Sequence, residues 1–181
     1  MAEVYTPADR HVLLHVCCAP CAAPCIERLL ANGCRVELYF SNSNIDTAEE
    51  FERRLQYVKL LADHHKIPCH IDPYDHDDWL AVVKEYADAP EGGARCGFCF
   101  SRVLGRTAAK AEELGIGSFT TTLTVSPHKN SRIIFAAGSV FNGFEAVDFK
   151  KKDGFLRSIR LSEKFGFYRQ AYCGCEFSRN F

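Results

Sequence analysis

Short apolar runs alternate along the chain with longer segments whose apolar residues recur at helical spacing. The runs predict strands at 11–16, 35–40, 69–72, 119–123 and 146–149. The segments between them predict helices, the first marked by Ile26, Leu29 and Leu30 and the others near 47–65, 77–86, 96–115, 131–141 and 156–166. This alternation is typical of an α/β domain with a mostly parallel sheet and helices on both faces.

The composition favours one catalytic domain over residues 1–181, because 47% of the residues are hydrophobic and a chain of this length can bury a core. The first residues include Glu3, Asp9 and Arg10 without an apolar run, so no signal peptide is expected. The longest uncharged stretches are too short to span a membrane. We therefore expect a cytoplasmic protein, in whose reducing surroundings clustered cysteines indicate metal or redox chemistry.

Charge is divided unevenly between the two halves of the chain. Residues 1–90 carry 8 Lys and Arg against 15 Asp and Glu, whereas residues 91–181 carry 14 against 8. In the basic C-terminal segment, 145–181, lysines and arginines are interleaved with Phe and Tyr, a mixture that suits phosphates and unstacked bases. A solvated amphipathic helix would give the same pattern, so this feature alone leaves RNA binding open.

Seven of the ten cysteines fall into three tight groups. The groups are Cys17-Cys18-Ala19-Pro20-Cys21, Cys96-Gly97-Phe98-Cys99 and Cys173-Gly174-Cys175. A structural zinc closes with four ligands and a [4Fe–4S] cluster usually takes four cysteines, so seven thiols exceed the needs of either. The surplus predicts a [4Fe–4S] cluster and one additional mononuclear metal.

The expected positions of these cysteines suggest how the two centres divide them. Cys18 and Cys21 follow the first strand at a helix start, and Cys96 and Cys99 begin another helix, so these four are predicted to hold the cluster. If the backbone is extended, Cys17 points away from Cys18, while Cys173 and Cys175 leave the chain on the same side. Those three residues would then form an open metal site, which the segment 145–181 completes.

The chain resembles the cobalamin-independent epoxyqueuosine reductases of the QueH type. Blocks covering nearly the whole chain carry the resemblance: His15 to Cys21, Asn42-Ser43-Asn44-Ile45, Gly92 to Cys96 with Cys99-Phe100, Phe119 to Asn130, Asp148 to Gly154, and Tyr168 to Cys175. Two departures stand out, since Ser43 occupies a position where the family usually has proline and Cys25 is an extra thiol. The family also varies at the position of Cys21.

The resemblance implies a fold similar to the adenine-nucleotide hydrolase and PP-loop (HUP-like) superfamily, but without the phosphate loop. No Walker-type glycine motif occurs in the chain, so no ATP requirement is expected. The implied reaction reduces epoxyqueuosine to queuosine in the anticodon loop of tRNA, with two electrons, two protons and loss of water. The second metal is expected to be iron, and ferredoxin or flavodoxin is the expected external electron donor.

The matched blocks also suggest roles for polar residues. Tyr172, His128 and Lys129 are candidate proton donors, with structural or substrate-binding roles as alternatives. Five residues at predicted strand ends and one arginine are candidate substrate ligands: Asn42, Asn44, Thr121, Thr122, Ser126 and Arg169. Lys150 and Lys151 join Arg169 as candidate phosphate contacts. For the residues at strand ends, turn and capping roles remain the alternative.

Two other functions remain open from the sequence. Cys18-Ala19-Pro20-Cys21 at a strand-to-helix junction resembles a thioredoxin motif, so a thiol-disulfide oxidoreductase using Cys18 and Cys21 is the first alternative. Such an enzyme needs a single reactive pair and no other clustered thiols. The second alternative is an RNA-binding module stabilised by zinc, which would unfold when the metal is chelated.

Overall fold

A four-stranded sheet forms the centre of the computed structural model, which describes residues 10–179. Its strands are β1 (His11–His15), β2 (Arg35–Phe40), β3 (Cys69–Ile71) and β4 (Ser118–Thr121). They lie in the order β3-β2-β1-β4 and every pairing is parallel. This architecture confirms the predicted α/β class and is consistent with a HUP-like, Rossmann-type fold, in which strand order also runs 3-2-1-4.

Within residues 10–179, six helices connect and cover the strands: α1 (Ala19–Ala31), α2 (Ala48–His65), α3 (His76–Val83), α4 (Ala94–Glu113), α5 (Ser131–Gly138) and α6 (Gly154–Phe165). Short 3-10 turns lie at Lys84–Tyr86, Thr122–Val125 and Glu176–Ser178. The Thr47 hydroxyl caps α2 by accepting the Glu50 N–H, as its sequence suggests. Of the helices described in residues 10–179, none is long and apolar enough to cross a membrane.

Alternate residues of the central strands face two separate cores. Val12 and Leu14 of β1 pack with residues of α1, α2 and α6, whereas Leu13 packs with residues of α4 and α5. Both sides of β1 are thus buried, as expected for a parallel strand between two helical layers. Because apolar burial is the main stabilising contribution to such a fold, the strand ends are held in fixed positions.

Two predicted strands differ from the structure. No strand forms at 146–149; in this region Phe144 makes an isolated bridge to Phe119. The following backbone is held instead by side chains, since the hydroxyls of Thr120 and Thr124 donate to the carbonyl oxygens of Glu145 and Val147. The strand predicted at 119–123 ends at Thr121, because its threonines turn into a 3-10 helix.

Candidate metal and active site

The candidate site lies where β1 and β4 end, beside the point at which the strand order reverses. The buried imidazole of His15 joins three strand ends there. Its Nε2–H donates to the carbonyl oxygen of Ser41 at 3.2 Å, and its Nδ1 accepts from the Thr121 hydroxyl at 2.9 Å. Burial lowers the pKa of His15 to about 4, so the ring is neutral and its tautomer follows from these bonds. Ligands of parallel α/β sheets bind at this edge.

The first thiol group consists of Cys17, Cys18 and Cys21. Their sulfur atoms all lie within 4.8 Å of one another, and those of Cys17 and Cys18 are 3.8 Å apart. The expectation that Cys17 points away from Cys18 is therefore wrong, because the chain bends at Cys17 and is no longer a regular strand. Thr122 fixes the bend, since its hydroxyl accepts the Cys17 N–H at 3.1 Å and donates to the Cys17 sulfur at 3.3 Å.

Within this group Cys18 is the favoured thiolate. It is the N-cap of α1, where the helix dipole stabilises negative charge. Hydrogen bonds from Cys17 and Cys21, with a further one from Gln170, lower the pKa of Cys18 well below its ordinary value. The same contact with Cys18 raises the pKa of Cys17 to about 12. Three sulfur atoms lie close together, and one of them is stabilised as a thiolate. The group therefore fits a metal cation.

The second thiol group consists of Cys96, Cys99, Cys173 and Cys175, which line one cavity. Cys96 and Cys99 lie on the first two turns of α4, as predicted, and the Gly92 N–H donates to the Cys96 sulfur at 3.2 Å. Burial, followed by the nearby Cys173, raises the pKa of Cys99 to about 12. Four cysteines around one cavity match the ligand number of a [4Fe–4S] cluster.

The Cys173–Cys175 segment is held in place by α2. Arg54 donates from Nη1 to the Cys173 carbonyl oxygen at 2.9 Å and from Nε to Glu50 at 2.7 Å. The segment is not extended as expected, since Gly174 has φ +137°. A Cβ on Gly174 would lie 3.2 Å from atoms of Arg54, Asn44 and Ile45. Only glycine fits this backbone, which turns the two flanking thiols into the cavity region.

Lys129 lies between the two thiol groups. It lines both the cavity of the second group and a larger cleft of about 350 Å³, a volume within the range of small-molecule sites. Burial opposes its charge, but Cys173, Cys17 and Cys21 raise the pKa of Lys129 above its ordinary value. His128 lines the same two spaces and is exposed. These two candidate proton donors therefore share one wall of the cleft.

Three other predicted site residues are occupied by bonds within the protein. The Tyr172 hydroxyl borders the cleft but donates to Asp46 at 2.9 Å. Thr121 caps the 3-10 turn, and Thr122 holds Cys17; both are almost completely buried. Thr121 has the capping role that was the alternative. The expected substrate contact of the two threonines stays a prediction.

The remaining predicted ligands line the cleft: Asn42, Asn44, Ser126 and Arg169. Asn42 is the least available of them, because it is buried and donates to the Val16 carbonyl oxygen at 2.9 Å. Arg169 is exposed and lies over the Phe155 ring at 5.9 Å. Lys150, expected to contact phosphate, instead donates to the carbonyl oxygens of Ser126 and Lys129 and so fixes this wall.

Sequence reasoning missed several residues around the thiols: Glu50, Arg54, Trp79, Arg95 and Gln170. Gln170 and Arg95 stand inside the blocks that carry the family resemblance, which is the signal that could have found them. Arg54 follows Glu50 by four positions, a spacing that predicts an ion pair on a helix surface. Nothing local indicates that this pair is buried.

The fold and the site define a parallel α/β domain with two cysteine groups at the reversal of its strand order, the first of which could hold a metal ion. The family model for epoxyqueuosine reductase QueH matches residues 12–180. The chain belongs to this family and is accordingly an oxidoreductase.

Curated relatives agree with the family match. The chain is 36% identical over 178 residues to the epoxyqueuosine reductase QueH of Streptococcus pyogenes serotype M1, covering 92% of this chain and 69% of that protein. It is 37% identical over 175 residues to the one from Thermotoga maritima, covering 92% and 89%. For the Acinetobacter baylyi protein the identity is 35% over 177 residues, with 94% and 81% covered.

Proposed function

We propose that this protein reduces epoxyqueuosine to queuosine in the anticodon loop of tRNA, using a [4Fe–4S] cluster and an additional mononuclear iron. The observation that carries the proposal is the presence of two neighbouring thiol groups, one of three close sulfurs and one of four cysteines around a cavity, with Cys17, Cys21, Cys99 and Cys173 lining the same cleft. The names of the similar proteins support the substrate. The thiols support the cofactors, because both centres prefer thiolate ligands.

The seven cysteines can be divided between the centres in two ways. The sequence-based division gives Cys18, Cys21, Cys96 and Cys99 to the cluster and Cys17, Cys173 and Cys175 to the iron. The close sulfurs of the first group and the shared cavity of the other four cysteines favour another division, in which Cys96, Cys99, Cys173 and Cys175 hold the cluster and Cys17, Cys18 and Cys21 the iron.

Two serine variants separate these divisions. The sequence-based division expects Cys18→Ser to lose the cluster and Cys175→Ser to keep it. The division from sulfur positions expects the reverse. Iron and acid-labile sulfide, measured after anaerobic purification, distinguish the outcomes, and Cys34→Ser serves as control because Cys34 is a buried thiol of the core.

The reaction converts an epoxide into an alkene: two C–O bonds break, two electrons and two protons enter, and water leaves. When bound, the metals would supply electrons one at a time and a Lewis acid for the epoxide oxygen. The protein's part is to orient substrate and hold protons. Of the three candidate donors, Lys129 has its ammonium beside the thiol of Cys173, and His128 is open to the cleft. Tyr172 directs its proton to Asp46 instead.

The surface near the cleft suits an RNA loop. Lys151, Lys152 and Arg160 are exposed, and the exposed rings and chains of Phe155 and Leu156 lie between them in sequence. Basic groups neutralise phosphates while an aromatic face can stack on an unpaired base. We further expect a cytoplasmic reaction, ferredoxin or flavodoxin as the electron donor, and no requirement for ATP.

The direct test incubates anaerobically purified protein with epoxyqueuosine-containing tRNA and a chemical reductant, then measures the released nucleosides by mass spectrometry. Queuosine should appear with loss of one oxygen, and Cys99→Ser should abolish it while Cys34→Ser does not. No conversion by protein that carries iron and sulfide would reject the proposed substrate.

The alternative functions predict different results. A thiol-disulfide oxidoreductase would keep its activity when Cys96, Cys99, Cys173 and Cys175 are replaced by serine, and it would be colourless. An RNA-binding module would contain zinc and unfold with a chelator. The proximity of Cys18 to Cys21 is compatible with the first alternative. That alternative does not explain why four further cysteines line one cavity.

A further inference from the structure

Arg95 is a buried cation at the start of α4, immediately before Cys96. Its side chain is 2% exposed, and Nη1 donates to the carbonyl oxygens of Ala87 at 2.7 Å and Ala89 at 2.6 Å. The guanidinium also lies over the Phe177 ring at 4.7 Å. Its Nε has no hydrogen-bond partner, and between residues 10 and 179 no carboxylate forms an ion pair with it. A buried cation without an anion is costly, so a counter-charge is expected nearby.

The anions available to Arg95 are the thiol groups. Arg95 lines the same cavity as Cys96, Cys99, Cys173 and Cys175. Metal binding converts such thiols to thiolates. The charge that Arg95 lacks would therefore be supplied by the sulfur ligands of a bound centre.

Trp79 provides a second unpartnered donor in the same place. Its side chain is 2% exposed and packs against Cys175, Cys99 and Phe177. The buried indole Nε1 has no hydrogen-bond partner among the described residues. Trp79 also lines the cavity together with Cys99. Since an indole N–H can only donate, a thiolate sulfur is a suitable acceptor.

We propose that Arg95 and Trp79 tune the reduction potential of a metal centre held by Cys96, Cys99, Cys173 and Cys175, with Arg95 as internal counter-ion and Trp79 as donor to the Cys99 sulfur. This inference rests on the proposed function, which puts a redox centre at these thiols. A reduced centre carries one more negative charge than the oxidised form. A buried cation and an N–H donor stabilise that charge and make the centre easier to reduce.

The test measures the midpoint potential of the centre in anaerobically purified protein, by redox titration followed with electron paramagnetic resonance. Arg95→Met should lower the equilibrium constant for reduction of the centre about tenfold, which lowers the midpoint potential by ~59 mV for a one-electron couple. Arg95→Lys should recover part of the shift, because it keeps the charge. Trp79→Phe keeps the ring but not the N–H, and should lower the potential by less. Arg102→Met is the matched control on the same helix, since Arg102 pairs with Asp78.

The outcomes separate this inference from the proposed function. Variants with unchanged iron, sulfide and potential would overturn the tuning role and leave the reductase proposal standing. A purely structural role would lower the melting temperature without moving the potential, and this result also counts against the inference. If Arg95→Met does not fold, Trp79→Phe still decides. Wild-type protein that binds neither iron nor sulfide would overturn both.

Discussion

Replacing Arg54 by methionine removes the cation from a buried ion pair and leaves its glutamate behind. The side chains of Arg54 and Glu50 are 2% and 9% exposed, and Nε lies 2.7 Å from Oε1. Removing one partner of a buried pair costs about 3–5 kcal/mol, because the other charge stays desolvated. The Cys173 carbonyl oxygen also loses its donor. We expect a loss of unfolding free energy in this range.

Thermal and urea unfolding of the metal-free protein measure the effect. In a protein of this size ~1 kcal/mol shifts the melting temperature by about 2–4 °C, so the expected decrease is about 6–20 °C. Arg157→Met is a matched control: Arg157 Nε lies 2.6 Å from Glu27, but the two side chains are 57% and 29% exposed. Exposed pairs contribute about 0–1 kcal/mol, so this variant should change little.

A double variant tests the electrostatic cause. Glu50→Met combined with Arg54→Met removes both charges, and should recover part of the stability lost in the single variant. Recovery will be incomplete, because the Tyr168 hydroxyl also donates to Glu50. The reasoning is refuted if the unfolding free energy of Arg54→Met lies within about 1 kcal/mol of that of the wild type and of the Arg157→Met control. The buried pair would then not stabilise this region.

Three further predictions follow from the same structure. Gly174→Ala should lose about 1–3 kcal/mol and much of its iron, because of the φ of +137° and the close side chains, whereas Gly97→Ala has open space and should be near neutral; calorimetry and metal analysis measure both. Burial acts against ionisation of Asp72, but hydrogen bonds from Arg106 and Ser41 leave its pKa below the ordinary 3.8. Its stabilising effect is thus present above about pH 4 and lost as pH falls through the lowered pKa, so the difference in unfolding free energy between wild type and Asp72→Asn should shrink there; a constant difference would contradict it. Lys151→Ala with Lys152→Ala should lower tRNA affinity and reduce the slope of log affinity against log salt by about 0.7 for each lost phosphate contact, while the exposed Lys59→Ala on α2 should not.

Local patterns were sufficient for most of the fold. The apolar run before Cys17 and the helical spacing of Ile26 and Leu29 predicted β1 and α1 correctly, because these residues are buried: Leu14 of β1 shares a core with Ile26 and Leu29 of α1, and Leu13 lies in the core on the other face. The strand expected at 146–149 failed for a non-local reason. The carbonyl oxygens of Glu145, just before this segment, and of Val147 within it accept from threonine hydroxyls 25 and 23 positions earlier, so the segment does not pair in the sheet.

The site was less accessible to sequence reasoning, because its geometry depends on long-range contacts. The seven cysteines were identified from spacing, yet the bend at Cys17 that gathers three sulfurs depends on Thr122, 105 positions away. Arg54 resembles an ordinary surface arginine on α2, and it is buried because the segment containing Cys173 folds over it from 119 positions away. The residue types in the sequence identify the candidate ligands, whereas their burial and their hydrogen-bond partners depend on the tertiary structure.

The two thiol groups share one electrostatic feature with nucleotide sites of parallel α/β proteins. In those proteins a phosphate sits at a helix N-terminus, where free N–H groups and the helix dipole favour negative charge. Here Cys18 is the N-cap of α1, and Cys96 accepts the Gly92 N–H on the first turn of α4. At both ends a helix N-terminus that would favour a phosphate lies against a thiol sulfur; this lowers the pKa of Cys18, whereas at Cys96 burial outweighs the Gly92 N–H and leaves the pKa raised. Because a sulfur ligand must be deprotonated to bind metal, this field lowers the cost of forming it. The fold's preference for an anion can thus serve metal binding without a phosphate loop.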